Sequence, residues 1–205
     1  MSFTVLVVCA TNVCRSPLAA LILEHSLRAA LGRHAPRVLD CGERAVPDLP
    51  ACPDMLRWAR NNGLPAQQLA RHRSTPLDRA QIDVADLVLA ADRLTRAAVL
   101  RTAPTAGHRT FTLREAASLS TGAASRAKDL AGFVAALDAD RGIAGLPAVV
   151  RVRPTERPWR RLELHDHDVL DAHQEPGVTH ERVRRQLVPT VERLVDAFTR
   201  IGLPA

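Results

Sequence analysis

The hydrophobic positions of this chain form short unbroken runs that alternate with longer stripes at helical spacing. The first run, over 3–8, is almost entirely apolar and rich in β-branched residues, as is typical of a strand buried on both faces of a parallel sheet. Similar runs predict strands over 37–41, 85–90 and 109–113. Strands that alternate with helical patterns favour repeated βα units and a parallel sheet.

Helical periodicity fills the segments between these strands. After the first strand, Ser16 can cap a helix, Pro17 fits its first turn and Gly32 ends it. The apolar stripe of this helix contains Leu18, Leu21, Ile22 and Ala29. The other helices predicted from the same spacing cover 53–62, 92–101 and 179–201.

A segment rich in Ala, Gly and Arg weakens this alternation over about 118–161, where only one helix is predicted, over 128–138. We interpret the segment as an insertion or lid within a single domain that covers 1–205. The length of 205 residues and the hydrophobic content of 46% suit one such domain. The predicted fold is therefore α/β, a doubly wound four-stranded parallel sheet flanked by helices, with one inserted segment.

Charge and composition narrow the choice of partners. The formal net charge is +6, the arginines are scattered, and aromatic residues make up only 3% of the chain. Neither a long basic run nor an aromatic platform for bases is visible, so we expect no nucleic-acid partner. No apolar run approaches the length of a membrane span and no secretory signal is recognisable, so we also expect a cytoplasmic protein without a membrane partner. The oligomeric state stays open.

The cysteines and histidines do not predict a metal site. The four cysteines, at 9, 14, 41 and 52, are too few for a disulfide scaffold and lack a second pair at zinc-ligand spacing. The alternating His and Asp residues over 165–168 are interpreted as a solvated loop rather than as metal ligands.

The stretch VCATNVCRSP, over 8–17, joins the first strand to the first helix. Ligands of open α/β sheets bind at the carboxyl ends of strands, and a helix N-terminus attracts a phosphate-like dianion. Arg15 adds a guanidinium that can hold two oxygens, and Cys9 at the base of this positive loop would act as a thiolate nucleophile. The predicted phosphate-binding residues are Ala10, Thr11, Asn12, Val13, Cys14, Arg15 and Ser16.

The Cys-x5-Arg-Ser pattern at the end of the first strand resembles the active-site signature of low-molecular-weight protein tyrosine phosphatases. Further stretches are similar to that family in the same order along the chain: Asp40-Cys41-Gly42, His72-Arg73-Ser74, 87–93, 111–115 and 168–173. The resemblance identifies a divergent, longer bacterial member of this family. It implies hydrolysis of phosphomonoesters through a phosphocysteine, with no metal or other cofactor.

The resemblance also implies residue roles. Cys9 would be the nucleophile, and Arg15 would hold the oxygens of the transferring phosphoryl group. Asp171 would protonate the leaving oxygen and later activate water. Asp168 is the alternative acid, although the distance of Asp171 from the last helix fits the family spacing better. The supporting residues would be Ser16, His72, Asp168 and His173, with His72 as the distant partner of Asn12.

Three departures from the family pattern bear on turnover: Thr11 in place of glycine, Asp40 in place of serine and Ala172 in place of proline. His173 also stands in place of the aromatic neighbour in the acid loop. A β-branched Thr11 disfavours positive φ, and a carboxylate at Asp40 would weaken the binding of a dianion if it faced the loop. A non-catalytic phosphate- or phosphoprotein-binding protein of the same fold is therefore an alternative function. A thiol-dependent arsenate reductase is less favoured, because 72–100 contains no cysteine to relay a disulfide.

The substrate stays open between a protein phosphotyrosine and a phosphorylated small molecule. The chain contains no tyrosine, and no aromatic residue occupies the positions that usually enclose a phenyl ring. Val13 is more similar to the bulky aliphatic residue of tyrosine-directed members than to the threonine of arginine phosphatases, so a phosphoarginine substrate is less favoured. Cys14 is either a packed small residue or the partner of Cys9 in a reversible disulfide.

Overall fold

A computed structural model of the chain describes residues 3–141 and 167–202. Its four-stranded sheet consists of β1 (Thr4–Cys9), β2 (Arg37–Gly42), β3 (Leu87–Ala90) and β4 (Thr110–Thr112). The order is β2-β1-β3-β4 and every pair is parallel. The predicted doubly wound parallel sheet is confirmed. The chain reverses its direction of winding between β1 and β3, which is where ligands bind in sheets of this kind.

The α-helices of the described residues are α1 (Arg15–Leu31), α2 (Pro53–Asn61), α3 (Ala66–Arg71), α4 (Arg79–Asp83), α5 (Arg93–Thr102), α6 (Leu113–Arg126), α7 (Leu130–Asp140) and α8 (His180–Gly202). Short 3₁₀ turns cover Gly32–His34 and Pro104–Arg109. Neither α3 nor α4 was predicted from the hydrophobic pattern, since five or six residues are too few to form an apolar stripe. None of the described helices is long and apolar enough to cross a membrane.

The two faces of the sheet pack against different sets of helices. Val5 and Val7 of β1 face one core, which includes buried residues of α1, α6, α7 and α8. Leu6 and Val8 face the other core, which includes Ile82 of α4, Val99 of α5 and Ala106 of the turn after α5. Successive side chains of a strand point to opposite faces, and all four of these residues are fully buried. The apolar run of β1 therefore reflects a strand that is covered on both sides.

The predicted insertion over 118–161 begins inside α6 rather than after it. Leu119 of α6 and Leu137 of α7 are buried in the same core as α8, and the Phe133 ring lies edge-on to that of Phe198, 5.5 Å between centroids. The part of the predicted insertion up to 141 is thus core structure. The helix predicted over 128–138 corresponds to α7, whereas the small residues of α6 obscured its helical pattern in the sequence. The remainder of the predicted insertion lies outside the described residues.

Candidate active site

The segment from 10 to 14 joins β1 to α1 and surrounds the thiol of Cys9, which is only 1% exposed. The sulfur accepts hydrogen bonds from the backbone N–H of Asn12 at 3.3 Å and from the hydroxyl of Ser16 at 3.0 Å. Donors aimed at one sulfur stabilise negative charge on it. The local geometry therefore suits a thiolate at the carboxyl end of β1.

Ser16 does not cap α1, contrary to the sequence prediction. The helix begins at Arg15, its N-cap is Cys14, and Cys14 makes no side-chain capping hydrogen bond. The hydroxyl of Ser16 instead donates to Cys9 and accepts from the side-chain amide of Asn12 at 3.0 Å. With no side chain capping the helix, the amides of its first turn remain suited to an anion.

The left-handed residue of the loop is Asn12, with φ of 55°, whereas Thr11 has no positive φ. Asparagine tolerates this region better than a β-branched residue does. The Asn12 side chain also accepts a hydrogen bond from the Thr75 N–H at 2.7 Å, and the Asn12 carbonyl lies 2.7 Å from Nε2 of His72. The threonine in place of glycine is therefore accommodated without strain at Thr11.

The carboxylate of Asp40 takes part in the contacts that hold the loop in shape. It accepts a hydrogen bond from the side-chain amide of Asn12 and lies 3.6 Å from Nδ1 of His72. Burial raises the pKa of Asp40 above its usual range, and His72 and Asn12 oppose that effect. Asp40 thus holds the side chain of Asn12, and through it the shape of the loop.

Arg15 is 2% exposed and makes two ion pairs, with Asp92 at 2.7 Å and with Asp171 at 2.6 Å. It also donates to the carbonyl of Val169 at 2.9 Å. Burial alone would lower the pKa of Arg15, but the negative charges of Cys9, Asp171 and Asp92 outweigh it, so the pKa is raised. A permanent positive charge is therefore held beside the Cys9 loop.

Asp171 and Asp168 lie in different surroundings. Asp171 is 7% exposed, and its second carboxylate oxygen accepts from the backbone N–H of His173 at 2.9 Å. Asp168 instead accepts from the backbone N–H of Arg93 at 2.9 Å and pairs with the Arg93 guanidinium at 3.2 Å. The structure thus brings Asp171 to Arg15 and holds Asp168 at the start of α5.

Cys14 lies next to Cys52, the residue immediately before α2, and all four cysteines are free. The hydrogen bond between the two thiols lowers the pKa of Cys52 to about 4. The same bond, together with burial, raises the pKa of Cys14. In this structure, Cys14 therefore lies beside Cys52, while Cys9 bonds to Ser16.

A family model for the low molecular weight phosphotyrosine protein phosphatases matches residues 4–129. The chain belongs to this family. Among curated relatives, a protein of Ralstonia nicotianae named a probable low molecular weight protein-tyrosine-phosphatase, EpsP, is 33% identical over 89 residues. That match covers 43% of this chain and 55% of the relative. The chain thus spans about half the length of this curated relative, and a second EpsP, from Ralstonia solanacearum, is matched over 53% of its length.

Solved structures of similar fold include two bacterial phosphatases. The YwlE arginine phosphatase from Geobacillus stearothermophilus has a TM-score of 0.61 and 23% identity, and the match covers 95% of this chain and 91% of that one. The tyrosine phosphatase Wzb from Escherichia coli K30 also has a TM-score of 0.61, with 19% identity and coverage of 96% and 98%. At these identities the likeness shows the fold of the low molecular weight phosphatases.

Asp92 also belongs to this site and was not predicted from the sequence. It lies two residues after the end of β3, caps α5 by accepting from the Thr95 N–H at 2.7 Å, and pairs with Arg15. Burial opposes ionisation of Asp92, but Arg15 and the Thr95 bonds lower its pKa overall. Its place at the carboxyl end of a parallel strand next to β1 was the signal that could have found it.

The backbone of the phosphate-binding loop passes so close to Gly42 that a side chain at this position would collide with it. A Cβ at this position would lie 2.7 Å from the backbone nitrogen of Asn12 and 2.9 Å from the carbonyl carbon of Thr11. We expect Gly42→Ala to displace the loop, with a loss of stability of about 1–3 kcal/mol and weaker binding of inorganic phosphate. Gly107→Ala is the matched control, since nothing lies within 4 Å of its Cβ. Equal melting temperatures and phosphate affinities for the two variants would contradict this constraint.

Proposed function

We propose that this protein hydrolyses phosphomonoesters through a phosphocysteine formed on Cys9. The observation that carries the proposal is the grouping of the Cys9 thiol, the Arg15 guanidinium and the Asp171 carboxylate at the carboxyl end of β1. Ser16 lies 3.0 Å from the sulfur, and Asp171 lies 2.6 Å from Arg15. Phosphoryl transfer depends mainly on positioning and on stabilisation of charge, and these groups supply both.

In the first step, the oxygens of the substrate phosphate bind the loop amides and Arg15. The thiolate of Cys9 attacks phosphorus, so an S–P bond forms while the P–O bond to the leaving group breaks. Asp171 gives its proton to the leaving oxygen. Asp171 is paired with Arg15, and the substrate dianion competes with this carboxylate for the Arg15 guanidinium.

In the second step, Asp171 takes a proton from a water molecule that attacks the phosphocysteine. The S–P bond breaks, inorganic phosphate forms, and the electron pair returns to the sulfur of Cys9. The hydroxyl of Ser16 and the N–H of Asn12 stabilise the departing thiolate, since both already donate to that sulfur. The proton that leaves Asp171 in the first step is thus replaced in the second.

The three departures from the family pattern do not favour the non-catalytic alternative. Thr11 has no positive φ, and Asp40 is engaged by Asn12 and His72. Ala172 follows Asp171, whose carboxylate still reaches Arg15. These observations support turnover rather than binding alone.

The expected cytoplasmic location stays a prediction.

The substrate class we propose is a protein phosphotyrosine or a phosphorylated small molecule. The segment after β2 runs beside the loop, with the N–H of Arg44 donating to the carbonyl of Ala10 at 2.7 Å. Its side chains Val46 and Leu49 are 60% and 42% exposed. This segment offers the aliphatic side chains of Val46 and Leu49 and the cation of Arg44, rather than aromatic rings that enclose a phenyl group. Such a surface fits either class of substrate.

The two candidate acids can be separated by measuring phosphate release from aryl phosphates. We expect Asp171→Asn to lower kcat by about tenfold with an activated leaving group. With an unactivated leaving group we expect about 10²-fold or more, because protonation then matters more. Asp168→Asn, the matched control, should stay near wild type, since Asp168 pairs with Arg93. A larger loss in Asp168→Asn than in Asp171→Asn would reverse the assignment.

A further inference from the structure

Four side chains that commonly bind metals meet beside the phosphate-binding loop: Cys14, Cys52, His173 and His180. Each residue offers one such atom, a thiol sulfur or one ring nitrogen, and these four atoms all lie within 4.8 Å of one another. The sulfur of Cys52 lies 3.2 Å from Nε2 of His180, which lies 3.3 Å from Nε2 of His173. The proposed phosphoryl transfer uses none of these four side chains as a reacting group.

We propose that these four residues bind one zinc ion in a tetrahedral Cys2His2 site. Zinc–sulfur and zinc–nitrogen bonds of about 2.0–2.3 Å place neighbouring ligand atoms of a tetrahedron about 3.3–3.8 Å apart. The distances at His180 come close to that range, and all the others fall below 4.8 Å. Two thiolates and two imidazoles also match the ligand preference of zinc.

The surroundings of His180 orient it as a ligand. Its Nδ1 lies 3.5 Å from a carboxylate oxygen of Asp54 in α2. Histidine ligands of zinc commonly donate the other ring N–H to a carboxylate, which fixes the tautomer and leaves Nε2 for the metal. His180 therefore has Cys52 beside the nitrogen that would bind zinc and Asp54 beside its other ring nitrogen.

The thiols are held by the backbone and the histidines lie toward solvent. Cys14 and Cys52 are 2% and 4% exposed, and the N–H of Cys52 donates to the carbonyl of Val13 at 2.6 Å. His173 is exposed and His180 is partly exposed. Rigid sulfur ligands with an open histidine side give the ion an entry path.

Zinc at this site would join four parts of the chain: the phosphate-binding loop, the start of α2, the segment that carries Asp171 and the start of α8. Binding would displace the proton held by the Cys14–Cys52 pair to solvent. The ion would hold His173, two residues beyond Asp171, against Cys14, next to Arg15. The role is structural, takes no part in phosphoryl transfer and does not depend on the proposed function.

Metal binding tests this site directly. The full chain, reduced with a phosphine and freed of metal by a chelator, is titrated with Zn²⁺ and separately with Co²⁺. Bound metal is measured by mass spectrometry, and cobalt–thiolate absorption by spectroscopy. We expect one equivalent of zinc per chain, a thiolate-to-cobalt band and a rise in the melting temperature with zinc. A reduced chain that binds less than half an equivalent overturns the proposal.

Variants locate the metal. We expect Cys52→Ser and His180→Ala to lower zinc affinity by at least about 100-fold, and Asp54→Asn by about tenfold. Cys9→Ser and Cys41→Ser, which remove cysteines outside the cluster, should keep wild-type stoichiometry. Circular dichroism of the metal-free variants checks that they are folded. Loss of zinc in Cys9→Ser, with retention in folded Cys52→Ser and His180→Ala, would assign the metal to the catalytic thiol and overturn the site.

Discussion

Replacing Cys9 by serine is expected to abolish phosphate release and to leave the binding of inorganic phosphate close to the wild-type level. We expect kcat to fall by at least about 10³-fold, as when the nucleophile of a hydrolase is removed. A serine hydroxyl fits the space of the thiol and can still accept from Asn12 and Ser16, which donate to the sulfur at 3.3 and 3.0 Å. It is not ionised near neutral pH, so the anion site persists without its nucleophile.

Steady-state assays under reducing conditions and calorimetric titration with phosphate measure the two effects of Cys9→Ser separately. The matched control is Cys41→Ser, because Cys41 is also a fully buried cysteine, in the neighbouring strand. It should retain turnover. A Cys9→Ser variant that keeps more than about a tenth of wild-type kcat would mean that another group attacks phosphorus.

Arg15→Lys is expected to lower kcat by about 10³-fold, the scale of removing an arginine that stabilises a phosphoryl-transfer transition state. Arg15 donates through separate nitrogens to Asp92 at 2.7 Å and to Asp171 at 2.6 Å. A lysine ammonium is a point charge, which cannot reproduce the planar pair of donors. Positive charge is kept, so the variant isolates geometry from charge.

Lysine is preferred to alanine at position 15 because Arg15 is buried with its two carboxylates. Removing one partner of a buried ion pair costs about 3–5 kcal/mol and would confuse loss of rate with loss of folding. Arg93→Lys is the control, since the Arg93 pair with Asp168 is partly exposed. Turnover of Arg15→Lys within tenfold of wild type, in a protein of unchanged melting temperature, would contradict the role given to Arg15.

The sheet was predictable because β1 carries an unbroken apolar run, and a strand covered on both faces needs one. The loop was predictable because Cys9, Arg15 and Ser16 are close in sequence, so that spacing alone brings them together. The α6 helix was not, because most of the side chains that it buries are small alanines and serines rather than large apolar residues.

Contacts between distant segments were harder to predict than those within the loop. Asp92 reaches Arg15 only because β1 and β3 are neighbours in the sheet. Likewise, Cys52 meets His180 only once α2 and α8 have packed beside the loop. The replacement of glycine by Thr11 left two outcomes open, ordinary dihedrals at Thr11 or a distorted loop, and the structure shows the first, since Asn12 rather than Thr11 has a positive φ.

The proposed phosphocysteine is tested most directly by trapping it. Wild-type protein is mixed with an activated aryl phosphate, denatured rapidly with detergent, digested and mapped by peptide mass spectrometry. We predict one phosphoryl group on the peptide that contains Cys9, formed at least as fast as the steady-state turnover and absent from Cys9→Ser. Steady turnover with no phosphoryl group on Cys9 at any time, or with the group on another residue, would contradict the mechanism.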